Sequence, residues 1–243
     1  MDIPPAIQSG MDLFTRILKV MPGCVSAYVH MARCLSCTAN FEAAARALRK
    51  CLQLQPHCAP ALLALARVES MRLESSSADR SLEQAVSADF NIRHAPLFKL
   101  TQAIIRAQQS RTEEAIDITT ELLTAPEVVH PSLSAIGGQS IDSLALSDED
   151  RVAVFVVHAQ LLGRLRRLKE AHKALSDAKV IFAGTPQQLQ VLVASAQLAV
   201  DRGDHESAVR MLDKVAVENS SFVRAQLLKA GLLATDCIVP ALG

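Results

Sequence analysis

Cys34 and Cys37 stand in a C-x-x-C (Cys34-Leu35-Ser36-Cys37), and Cys24, Cys51 and Cys58 lie close by in sequence. That spacing can hold zinc or cycle between dithiol and disulfide. A structural zinc site needs four converging ligands, however, and on a helix residues 34 and 37 share a face with no second pair in register to meet them. The expected reading is therefore small buried hydrophobes and no metal. Seven histidines (His30, His57, His94, His130, His158, His172 and His205) fall in different segments, and none forms an H-E-x-x-H pair. Each is expected to be a packed or surface residue. There is no G-x-S-x-G elbow, no phosphate-binding loop and no G-x-G-x-x-G. Gly137-Gly138 and Gly184-Thr185-Pro186 read as loop and cap signals. No active site and no cofactor are expected.

One charged run stands out. Gly163-Arg164-Leu165-Arg166-Arg167-Leu168-Lys169 is basic enough to meet an anionic lipid or an acidic partner. The competing reading is a solvated hairpin turn whose Leu165 and Leu168 point inward. The whole chain carries 25 Lys+Arg against 25 Asp+Glu, and that neutrality favours the turn. It also removes the electrostatic footprint of a nucleic-acid binder.

The elements that would position any site follow from composition. Of 243 residues, 50% are hydrophobic but only 3% aromatic, with Tyr28 the single tyrosine and no tryptophan. Aromatic side chains supply much of the buried area of ordinary cores. A chain rich in Ala and Leu suits closely packed helices instead. No apolar run approaches the roughly 18–20 residues that span a bilayer. The start, Met1-Asp2-Ile3-Pro4-Pro5, lacks the basic and apolar regions of a signal peptide, so the six cysteines are expected to be reduced thiols in the cytosol.

An internal period then fixes the fold class. Pro22 and Pro56, each after an apolar helix, are 34 residues apart (56 − 22), as are Ala44 and Ala78 (78 − 44). Thirty-four is the period of the tetratricopeptide repeat, a helix hairpin with small residues where its helices approach. The expected fold is thus an all-α solenoid of antiparallel helix hairpins. Residues 1–24 read as a partial preceding repeat and 25–125 as three repeats. Residues 126–147 read as a flexible inserted loop, rich in Ser with Pro131 and Gly137-Gly138. Two more repeats occupy 148–221, and 222–243 hold a partial repeat and a tail that leaves the pattern.

The residues expected to set the packing are Tyr28, Ala32, Ala44 and Pro56 in the first full copy, where Pro56 stops the second helix and Asn40 caps it. Ala66 and Ala78 follow in the second copy, Ala103 and Ala115 in the third, Ala159 and Ala171 in the fourth. Ala196, Ala208 and a turn glycine, Gly203, belong to the fifth. Glu74-Ser75-Ser76-Ser77 reads as a degraded inter-helix turn. Capping boxes are expected at Ser110-Arg111-Thr112-Glu113 and at Thr185-Pro186-Gln187-Gln188, the latter with proline at the first helical position. Ser147-Asp148-Glu149-Asp150 restarts a helix with acid at its positive end. Neither end carries a polar capping repeat, so an internal piece of a longer solenoid is expected, prone to aggregate or to need partners when alone.

Several stretches carry a more specific likeness. They are Ala61-Leu62-Leu63-Ala64-Leu65-Ala66-Arg67-Val68, Ser81-Leu82-Glu83-Gln84-Ala85, and Asp89 through Leu100. Gly184-Thr185-Pro186, Ala194 through Ala199, Gly203-Asp204 and Ala208 through Leu212 add to them. Together these resemble the tetratricopeptide repeat protein 21 family, the large repeat subunit of the intraflagellar transport A complex. The resemblance covers most of residues 25–233; Phe222 keeps an expected aromatic, whereas Cys237 through Gly243 do not continue the pattern. It implies a scaffold in retrograde ciliary transport that also helps deliver membrane cargo. The implied partners are other subunits of that complex and adaptors for ciliary membrane proteins. The implied location is the cytoplasm and the cilium or flagellum, at the axoneme and basal body.

Two other functions compete. A co-chaperone or generic repeat adaptor of the carboxylate-clamp kind needs Lys, Asn and Arg in its groove, but the first full repeat offers Val29, His30 and Arg33. A regulatory domain cut from an enzyme would need catalytic residues outside this chain.

Overall fold

A computed structural model describes residues 4–129, 144, 146–219 and 225–231. Among them, every regular element is helical. The order is α1 (Pro5–Val20), α2 (Val25–Cys37), α3 (Phe41–Leu54), α4 (Ala59–Met71), α5 (Ser75–Ala88), a short 3-10 helix (Phe90–His94), α6 (Pro96–Gln108) and α7 (Thr112–Thr124). Then come α8 (Pro126–Val129), α9 (Asp148–Arg164), α10 (Leu168–Ile181), α11 (Gln188–Asp201) and α12 (His205–Glu218). Residues 225–231 are helical as well. The described residues form two compact units: one runs to Ile118 and includes Leu144 and Leu146, the other holds 119–129 and the residues from Ser147 on.

Among the described residues, one turn recurs at five hairpins. Ala39, Leu73, Ser110, Arg166 and Gly203 have φ of 56°, 62°, 63°, 60° and 81°, in the left-handed region. Each follows the last turn of a helix, and the next residue's amide reaches back to the carbonyl five residues earlier. Asn40 donates to Leu35 at 2.9 Å, Glu74 to Glu69 at 3.0 Å and Arg111 to Arg106 at 2.9 Å. Arg167 donates to Leu162 and Asp204 to Ala199, both at 2.9 Å. This is the Schellman closure, which satisfies carbonyls that the helix end leaves orphaned. The donor residue then serves as the N-cap of the following helix, so one residue ends a helix and starts the next.

Three sequence expectations change here. Ser110 is not an N-cap but the left-handed residue closing α6. Ser75–Ser77 are not a turn but the first turn of α5, with Glu74 at its N-cap. Pro186 lies ahead of α11, which begins at Gln188 without a side-chain cap, and Thr185 Oγ1 donates to the Phe182 carbonyl at 2.8 Å instead. A complete capping box forms elsewhere, where Ser147 Oγ accepts from the Asp150 amide at 3.2 Å and Asp150 Oδ2 accepts from the Ser147 amide at 3.2 Å. Both expectations failed because the backbone around Ser110 and Thr185 continues the preceding helix's closure before the next helix can begin.

In the first unit, hairpins α2/α3 and α4/α5 stack so that α4 packs on both α2 and α3, and α6 on both α4 and α5. In the second, α11 packs on both α9 and α10, and pairs with α12. This stacking buries a chain of small clusters rather than one large core. Val29, Ala32, Ala44, Ala45, Leu48, Leu65 and Val68 share one of them. Ala66, Ala78, Leu82, Ala85, Ile92, Phe98 and Ile105 belong to another, against which Leu144 and Leu146 pack. Val193, Ala196, Ala208, Leu212, Val215 and Ala225 form a third.

Within 126–147, expected as a loop, Pro126–Val129 form the single helical turn α8 and Val128 is fully buried. Residues 130–143 and 145 lie outside the described residues, and so does the tail from 232 on.

Candidate functional site

The tyrosine and alanines singled out from the sequence are interior residues. Ala44, Ala66, Ala78, Ala103, Ala115, Ala171, Ala196 and Ala208 are all 0% exposed, and Tyr28, Ala32 and Ala159 are buried. A larger side chain at these positions would force the paired helices apart. Pro56 is exposed and follows α3 in the turn before α4, while Gly203 takes the left-handed turn between α11 and α12. They shape the scaffold. Any binding chemistry has to come from the surfaces they hold in place.

Polar clamps fix the helix stack in the first unit. Arg106 Nη1 of α6 donates to Asp79 Oδ2 of α5 at 2.7 Å, and Gln109 Nε2 donates to the same oxygen at 3.1 Å. Burial raises the Asp79 pKa, but these hydrogen bonds and the Arg106 charge outweigh it and leave the carboxyl below its ordinary value. Gln108 Nε2 donates to the Ser70 carbonyl at 2.8 Å, tying α6 to the end of α4. The buried Glu69 accepts from Ser81 Oγ at 2.7 Å, joining α4 to α5.

The second unit holds an open groove of about 500 Å³. Leu123, Val129, Phe155 and Ile181 supply its apolar lining. Glu170, Lys173 and Asp177, at spacings of three and four, form one exposed stripe along α10. His158 also lines it, with Nδ1 and Thr119 Oγ1 2.8 Å apart in a hydrogen bond. Burial lowers the His158 pKa and the Arg167 charge lowers it further, against an opposing pull from Glu170. The ring is thus held neutral near neutral pH, as a packed residue bonded to a hydroxyl. An apolar strip edged by mixed charge suits a polypeptide segment better than a small polar substrate.

The basic turn is occupied by its own contacts. Arg167 donates from Nε and Nη2 to the two carboxylate oxygens of Glu170 at 2.8 and 2.7 Å, and Arg166 Nη1 donates to the Asp201 carbonyl at 3.4 Å. Leu165 and Leu168 are half-buried. Of the residues standing where a carboxylate clamp would need Lys and Asn, Val29 is buried and His30 stacks on Phe14 with ring centroids 5.6 Å apart.

Cys34 and Cys37 lie on α2, half-buried and exposed respectively. Among the described residues, no group of three or more His, Cys, Asp or Glu side chains is placed to hold a metal ion. What the sequence did not reveal is where two other cysteines pack. Cys58, the N-cap of α4, packs against the small buried cluster that holds Cys51 from the last turn of α3. The six intervening residues gave no signal of it, because the contact depends on how sharply the chain reverses between the two helices.

Comparison with known proteins adds to this geometry. A family model described as "Tetratricopeptide repeat protein 21 ARM repeat" matches residues 90–233, and one described as that family's second ARM domain matches 4–73. Tetratricopeptide repeat protein 21B of Xenopus laevis is 27% identical over 88% of this chain and 16% of its own length. The Homo sapiens protein of the same name is 28% identical over 91% of this chain and 17% of its own. This chain therefore spans about a sixth of the length of these relatives. The Cut9 and Hcn1 hetero-tetramer of the APC/C superposes with a TM-score of 0.70 at 15% identity, covering 94% of this chain and 40% of that one. A tetratricopeptide repeat protein from Parabacteroides merdae gives 0.66 at 12% identity, over 94% and 78%. At such identities these two structures speak for the fold, a tetratricopeptide-repeat solenoid.

Proposed function

Since the chain belongs to the tetratricopeptide repeat protein 21 family, we propose that it is a non-catalytic segment of a scaffold in the intraflagellar transport A complex. The observation that carries this reading is the family match across residues 90–233, which spans more than half the chain. Stacked hairpins present long surfaces at low cost in core size, which suits a subunit that several proteins must grip together. The described residues support binding rather than chemistry, since His158 is bonded to Thr119 and the cationic turn to Glu170. The proposed partners are the other subunits of that complex and adaptors for ciliary membrane cargo. The proposed setting is retrograde transport, with the protein at the basal body and along the axoneme.

The test is affinity capture from ciliated cells, using the full-length protein that contains this segment. Recovery of other transport A subunits, and loss of that recovery when residues 90–233 are deleted, is the expected result. Recovery of none of them by the intact protein would overturn the proposal.

A further inference from the structure

We propose that the groove of the second unit is a docking site for an amphipathic helix of another polypeptide. That helix inserts an apolar stripe and carries a carboxylate and a cation one turn apart. The inference goes beyond the scaffold reading, because it states the shape and charge of what is gripped. It does not depend on the ciliary assignment.

The groove offers apolar surface and two free charges. Leu123, Val129 and Ile181 are half-buried and Phe155 is buried, and together they line about 500 Å³ that opens to solvent. The polar side chains in the lining divide into two kinds. His158 and Glu170 are already engaged within the chain, by Thr119 and by Arg167. Lys173 and Asp177 are exposed, and among the described residues neither side chain makes an ion pair or a hydrogen bond. They stand four residues apart on α10, so about 5–6 Å separates their Cβ atoms.

Those two charges define the occupant. A partner that covers the apolar lining also draws water away from Lys173 and Asp177, and each then needs an opposite charge. The partner must therefore bring an acid to Lys173 and a base to Asp177. Their interval is the one between residues i and i+4 of a second helix lying along α10. Ala174, a buried alanine in the same lining, puts no bulk between two such helices.

A backbone argument favours a helix over an extended segment. An extended chain would need partners for its amides and carbonyls. The lining instead presents apolar side chains and two polar ones that are already bonded. A helix arrives with its backbone paired and needs only side-chain contacts. Mixed charge also disfavours a nucleic acid, whose phosphates Asp177 would repel.

The experiment uses the full chain and a fluorescein-labelled synthetic helix of about four turns. The peptide carries leucines at i, i+3, i+4 and i+7, flanked by one glutamate and one arginine spaced one turn apart. Fluorescence anisotropy is expected to show saturable binding to the parent chain. Asp177→Lys is expected to weaken it about fivefold, the size of one surface charge pair. Replacing the arginine of the peptide by glutamate is expected to restore binding to that variant and to weaken binding to the parent. Asp177 is exposed, so the variant is expected to keep its fold, which its thermal midpoint checks. Glu83→Lys, at an exposed position of α5, is expected to change nothing. No saturable binding by the parent, equal weakening by Glu83→Lys, or no rescue by the glutamate peptide would each overturn the proposal. So would a parent chain that sediments as a dimer and becomes monomeric on Asp177→Lys, since a second copy would then hold the groove.

Discussion

Arg151 of α9 donates from Nε to the carbonyl oxygen of Val128 at 2.9 Å, bridging 23 residues of sequence. Its Nη2 reaches the Val129 carbonyl at 3.3 Å and its Nη1 the Asp148 carboxylate at 2.9 Å. The guanidinium of Arg151, a residue only 5% exposed, thereby satisfies the last carbonyls of the short helix α8. It also lies 5.3 Å from the centroid of the Phe182 ring, a cation–π contact that joins α9 to the end of α10.

Replacing Arg151 by Ala strips the buried Val128 carbonyl and the half-buried Val129 carbonyl of this donor, and a cost of about 2–4 kcal/mol is expected. Arg151→Lys is expected to recover less than half of that, since an ammonium cannot serve two carbonyls and a carboxylate in one plane. Urea denaturation of the two variants beside the parent chain measures both. A lysine variant as stable as the parent would refute the account.

Leu73 holds φ at +62° while 77% exposed, so it bears left-handed strain without a packing return. Leu73→Gly is expected to stabilise the chain by about 0.5–1 kcal/mol, because glycine adopts this conformation freely. The thermal midpoint should rise by a few degrees. A fall would mean that Leu73 makes a contact that outweighs its backbone strain.

Ala44 is 0% exposed in the cluster between α2, α3 and α4. Ala44→Leu adds three carbons where no space exists, and a loss of about 1–3 kcal/mol is expected from forced separation of the hairpin. The midpoint of denaturant unfolding reports it.

His158 is held neutral, with a folded pKa below its ordinary 6.5. As pH falls through about 6.5, the unfolded chain takes up the proton first, so stability declines below that pH and is fully present above it. Thermal melts between pH 7 and 5 should show this slope, and His158→Asn should flatten it. Asp79 acts in a lower window: its folded pKa is depressed, so its contribution is present above the ordinary carboxylate range and is lost as pH falls through it.

The period was legible because the first turns obey it: Ala39 and Leu73 are 34 residues apart (73 − 39). The next interval, Leu73 to Ser110, is 37 (110 − 73), and the 3-10 helix Phe90–His94 lies within it. Small residues at fixed spacing could therefore be read as hairpin interiors from the alphabet alone. The turn chemistry could not. Only Gly203 advertises a left-handed turn, and Ala39, Leu73, Ser110 and Arg166 adopt the same conformation because tertiary packing of the joined helices outweighs a local preference of about 1 kcal/mol.

The cysteines show the same division. Sequence alone determined that this chain is a stack of helix hairpins, since helical periodicity and side-chain size are local properties that survive without coordinates. It could not decide which cysteines meet. Cys34 and Cys37 are neighbours on one helix face, yet Cys37 is exposed, while Cys58 packs against the buried cluster of Cys51 across a chain reversal. Only the tertiary structure decided that packing, and the burial of Arg151 against Val128, because both depend on where separate helices come to rest rather than on the spacing within any one of them.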